Sequence, residues 1–115
     1  MKDVSTKIFV PIYYGELHIV IADDFTKWHN LDKSVNDYKA LSTCINEKDS
    51  HWAIFIHPEY LDDHGLIAHE ALHIVGYIFA CIKCKMDLDN DEPQCYLLAW
   101  VVGEVYKAIC KYRKS

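Results

Sequence analysis

The chain has 115 residues, a formal net charge of −5, 51% apolar residues, and eleven lysines beside a single arginine. That length suits one domain spanning residues 1–115, able to bury about two thirds of its unfolded surface without disulfides. The acidic balance, with no dense basic run, excludes nucleic acid as the main partner. The longest apolar stretches are broken by His69, Glu70, His73 or Glu104 and are not membrane spans.

Met1-Lys-Asp-Val-Ser-Thr-Lys7 lacks the apolar core of a signal peptide. Five cysteines, Cys44, Cys81, Cys84, Cys95 and Cys110, are an odd number scattered through apolar segments, which suits reduced thiols that pack in a cytoplasmic protein. Cys81-x-x-Cys84 has no second pair at zinc-ribbon spacing.

Lys7–Tyr13 and Leu17–Ala22 are β-branched and apolar runs around Tyr14-Gly15-Glu16, which predicts a hairpin, with Pro11 fitting an edge strand. Asp23–Asn30 reads as a short capped helix or an irregular excursion, and Asp32–Asp37 as loop. His18 and His29 have no metal spacing and read as ordinary strand or surface histidines. Lys39–Asn46 and His51–His57 form a second expected hairpin around Glu47–Ser50, giving four strands in all. Asp62-Asp63 then supplies N-cap candidates for a helix running to about Lys83. A second long helix is expected from Asp91, with Gln94 completing a capping-box-like start, to about Lys111. The fold class is therefore α+β: a small antiparallel or mixed sheet of about four strands packed on two helices.

Inside the first helix lies His69-Glu70-Ala71-Leu72-His73. Residues four apart sit one above the other on a helix face, so two imidazoles can grip one metal ion; Glu70, about 100° round, is placed to act on water. A shuffled chain of this composition would contain the pattern in roughly 0.02 of cases, so chance is a poor explanation. Gly76 continues the longer metzincin pattern, but Phe79 stands where that pattern requires histidine, and no histidine follows His73. The third ligand must come from elsewhere. Glu92 is the best placed carboxylate, opening the second helix; Glu92, Tyr96, Ala99 and Gly103 share one face, which is expected to pack near Gly76 and bring Glu92 and the Tyr96 phenol towards the histidines. His57 and His64 are the alternatives.

Over residues 52–104 the chain resembles the gluzincin side of the zincin superfamily in a minimal single-domain form. The pairing of His69-Glu-Ala-Leu-His73 with Asp91-Glu-Pro-Gln-Cys-Tyr-Leu-Leu98 is similar to small zincin-like proteins encoded by tailed phages and prophages. The resemblance implies a zinc-dependent peptidase, with His69, His73 and Glu92 as ligands and Glu70 as general base; the helix-face reading adds Tyr96 as a candidate oxyanion donor or a packed tyrosine. The resemblance also implies that the strand before the active-site helix, Trp52–His57, forms the upper edge that pairs with an extended peptide or protein substrate; the alternative is an interior strand. A conventional second lobe is missing, so the rival expectation is a non-catalytic protein-binding module with a structural metal or none. Oligomeric state is left open.

Overall fold

β-Branched and aromatic runs become four strands: β1 (Val4–Phe9), β2 (Glu16–Ile21), β3 (Ala40–Asn46) and β4 (His51–Ile56). Two helices follow, α1 (His64–Cys81) and α2 (Glu92–Lys114). The computed structural model describes residues 2–115. It gives one four-stranded mixed sheet in the order β1-β2-β4-β3. The outer pairs β1/β2 and β3/β4 are antiparallel, and the central pair β2/β4 is parallel. This is the expected α+β architecture.

The central pair is apolar on both faces, as a doubly covered parallel pair must be. Leu17, Ile19, Ile21, Trp52, Ile54 and Ile56 pack against Ile67, Ile74 and Ile78 of α1 and Leu97, Val101 and Val105 of α2. On the opposite face Val20, Ala53 and Phe55 lie under Phe25, Trp28, Leu31 and Val35 of the excursion between β2 and β3. That excursion contains two short 3-10 turns, capped by the side chains of Asp24 and Asp32.

Several boundaries differ from expectation for local reasons. Trp52–Ile56 is interior, with β2 on one side and β3 on the other, so β3 rather than β4 is the edge beside the helices. Strand β1 stops at Phe9, leaving Pro11 in a tight turn where Val10 N–H donates to Gly15 C=O at 2.9 Å. Gly15 has φ 94°, and a Cβ there would lie 2.5 Å from the Trp52 ring, so only glycine fits. Helix α1 begins where the Asp63 carboxylate accepts from Leu66 N–H. It ends two residues before Lys83, which turns to φ 57° while Cys84 N–H donates to Phe79 C=O.

Helix α2 lacks the expected capping box. The Gln94 side chain instead accepts from Asp87 N–H at 3.0 Å, and Asp91 makes no side-chain cap. The helix continues to Lys114, where Lys111, Arg113 and Lys114 complement its C-terminal dipole. Its buried stripe is Leu97, Val101, Val105, Ala108 and Ile109. The Glu92, Tyr96, Ala99, Gly103 face expected to pack on α1 is therefore turned to solvent. A Cβ added at Gly76 would instead lie 3.9 Å from the Met86 methyl. All five cysteines are free thiols; four are exposed, so the expected packing role fits only Cys81. Among the described residues no helix is long and apolar enough to cross a membrane.

Candidate metal centre

His69 and His73 lie one turn apart on the exposed face of α1, because the buried face is taken by Ile67, Ala71, Ile74, Val75 and Ile78. Their Nε2 atoms are 3.2 Å apart, with ring planes at 78°. Two imidazole nitrogens bound tetrahedrally to one zinc, each at about 2.0–2.1 Å, would be separated by about 3.3 Å. The donor chemistry and spacing of the pair therefore fit zinc.

Glu70 is turned inward and is only 7% exposed. Its Oε2 lies 3.9 Å from His69 Nε2, and among the described residues its carboxylate accepts no side-chain or backbone hydrogen bond. The carboxylate lies at a cavity wall rather than sealed in the core, since among the described residues the buried side-chain atoms without a hydrogen-bond partner are Thr6 Oγ1 and Trp52 Nε1. A polar group or water held at the two imidazoles would satisfy the carboxylate.

Strand β3 fixes the helix at this point. Ser42, itself buried, donates from Oγ to the Glu70 carbonyl at 2.9 Å. One turn beyond His73, the Tyr77 ring stacks on the imidazole at 6.2 Å between centroids and donates from Oη to the Ser42 carbonyl at 3.4 Å. Tyr77 goes unmarked in the sequence reading, although it follows His73 by four residues on the same helix face, a spacing from which the contact could have been read. Ser42 carried no such signal. Two cavities border the pair: one of about 590 Å³ between Asp37–Ala40 and Gly65–Glu70, and one of about 270 Å³ lined by His69, Leu72, His73, Gly76 and Tyr77.

The other expected site residues are elsewhere. Glu92 and Tyr96 line a separate cavity of about 430 Å³ with Pro11, Ile12, Tyr13 and Trp100, and Tyr96 is 73% exposed. His64 is stacked on Tyr106 and hydrogen-bonded to its hydroxyl. His57 Nδ1 accepts from Glu59 N–H, and its Nε2 lies 3.4 Å from Asp23. Among the described residues no group of three or more His, Cys, Asp or Glu side chains is placed to hold one metal. The structure thus brings together His69, Glu70 and His73, and leaves Glu92, Tyr96, His57 and His64 outside.

A second histidine pair emerged that spacing had passed over. His18 points from β2 to the sheet face away from the helices, where its Nε2 lies 2.6 Å from Ser5 Oγ and its Nδ1 lies 3.0 Å from His29 Nε2. Burial, then the His29 and Lys7 charges, lower the His18 pKa to about 4; burial and Lys7 lower that of His29 as well.

Compared with protein-family models, curated proteins and solved structures, the chain matches none.

Proposed function

We propose that this chain is a minimal zincin-like hydrolase that cleaves peptides or proteins with zinc held by His69 and His73. The observation carrying this reading is the pair of imidazoles whose Nε2 atoms lie 3.2 Å apart, with the Glu70 carboxylate 3.9 Å from one of them at the wall of a cavity. When bound, zinc supplies the Lewis acidity that makes water a nucleophile near neutral pH. Glu70 takes the proton from the attacking water and delivers it to the leaving amine. Ser42 holds the Glu70 backbone, and Tyr77 buttresses the His73 ring. The edge strand β3, bordering the His69 and Glu70 cavity, offers backbone groups to an extended peptide. Five free thiols support action in a reducing compartment such as a bacterial cytoplasm.

Glu92 is the sequence candidate for a third ligand, and because it lines a cavity that contains neither His69 nor His73, Glu92→Ala is an informative variant. The second reading, a binding module with a structural metal or none, is favoured by the lack of a third donor among the described residues. The two readings separate in one experiment. Glu70→Gln should keep zinc and lose hydrolysis of a casein or peptide-library substrate by about 10²–10⁴-fold. Hydrolysis unchanged in Glu70→Gln would remove Glu70 from the mechanism; zinc bound with no hydrolysis in the wild type would favour the binding module.

A further inference from the structure

The outward face of α2 is unused by the metal reading. Glu92, Tyr96, Gly103, Cys110 and Lys114 recur along it at the helical period, and all are exposed. Charge is divided along this face: Glu92 with Asp91 beside it at the start, Lys114 with Lys111 beside it at the end, and between them Lys107 paired with Glu104 at 3.3 Å. Near the start lies the cavity of about 430 Å³, in which Glu92 is the one charged residue among Tyr13, Tyr96, Trp100 and the 89% exposed Ile12. An aromatic cavity with a single carboxylate suits a cation carried on an apolar stem.

We infer that this face pairs with the same face of a second copy, antiparallel about a two-fold axis at Gly103. In that register, positions equidistant from Gly103 meet. Glu92 and Lys114 each lie eleven positions away, and Tyr96 and Cys110 each lie seven away. Lys111 and Lys114 of each copy then reach the other's Glu92 cavity, and the contact is made twice, as an isologous interface requires. A Cβ at Gly103 would meet nothing within 4 Å, so the axis position is open to a second helix. Parallel pairing would set lysine on lysine and glutamate on glutamate, so charge selects the antiparallel orientation. A helix face about 35 Å long and about 10 Å wide is smaller than a standard interface, so the pairing is reversible.

Sedimentation equilibrium of the full chain in EDTA, which removes metal-bridged association, tests this. The wild type should dimerise reversibly. Glu92→Lys and Lys114→Glu should each weaken dimerisation about tenfold or more, and the double swap should restore it. A short bismaleimide gives a second readout. Cys95 and Cys110 are both exposed, and fifteen residues of helix separate them by about 22 Å, so a Cys95–Cys110 cross-link can form only between copies. That cross-link is expected. A chain that stays monomeric, whether or not its Glu92 cavity takes an added lysine peptide, overturns the proposal, as does a double swap no tighter than the single variants.

Discussion

Two histidine pairs lie on opposite sides of the sheet, and their surroundings give them opposite chemistry. His18 is 4% exposed, and its two ring nitrogens face Ser5 and His29. The side chain of His69 is 64% exposed, and its Nε2 converges with that of His73 beside a buried carboxylate. The first pair is closed, its hydrogen-bonded chain running from buried His18 to half-buried His29 and exposed Ser5; the second is open, its two Nε2 atoms hydrogen-bonded to one another on the exposed face of α1 beside two cavities. Residue type does not distinguish them. What does is whether the nitrogens end in the protein or in space a ligand can enter.

The sharpest way to break the comparison is catalytic. If the open pair is a metal centre, Glu70→Gln abolishes turnover by about 10²–10⁴-fold while zinc stays bound. Next comes stability. His18→Ala should cost about 2 kcal/mol in urea unfolding, since it opens a cavity at a buried position, yet leave zinc affinity unchanged. The exposed His73→Ala should cost under about 1 kcal/mol in stability of the zinc-free chain.

Acid should act on the closed pair. The His18 pKa falls from 6.5 to about 4 on folding, so the unfolded chain binds more protons between those values. His18 therefore contributes stability that is fully present above pH 6.5 and is lost as pH falls towards 4. The loss is measurable as a fall in the urea midpoint of zinc-free protein as pH drops from 6.5 towards 4, and is blunted in His18→Ala. The smallest expected effect is at the strand-to-helix tie. Ser42→Ala should cost about 1 kcal/mol through the lost bond to the Glu70 carbonyl, measured by the same unfolding titration.

Much of this arrangement was legible in the sequence. Alternating and β-branched runs located β2, β3 and β4 within one residue at each end but set β1 three residues late at its start and four at its end, and Asp62-Asp63 marked the start of α1. The His-Glu-x-x-His spacing guaranteed a shared helix face for His69 and His73, because that relation is local. Relations across the chain were not legible. The parallel pairing of β2 with β4, which moved Trp52–Ile56 to the interior, leaves no mark in periodicity. Helix α2 carries two stripes at helical spacing, and the one with Leu97, Val101 and Val105 won the core because it removes more apolar surface from water. That rotation carried Glu92 and Tyr96 away from the histidines. Likewise Ser42 and the His18–His29 contact depend on which strand lies beside which.

The most direct test is zinc titration of chelator-stripped protein, comparing wild type with His69→Ala, His73→Ala and His18→Ala. One zinc per chain, weakened at least about a hundredfold in the first two variants and unchanged in the third, is the expected result. Absence of zinc binding in the wild type, or binding that survives His73→Ala, would contradict assignment of the metal to the open pair.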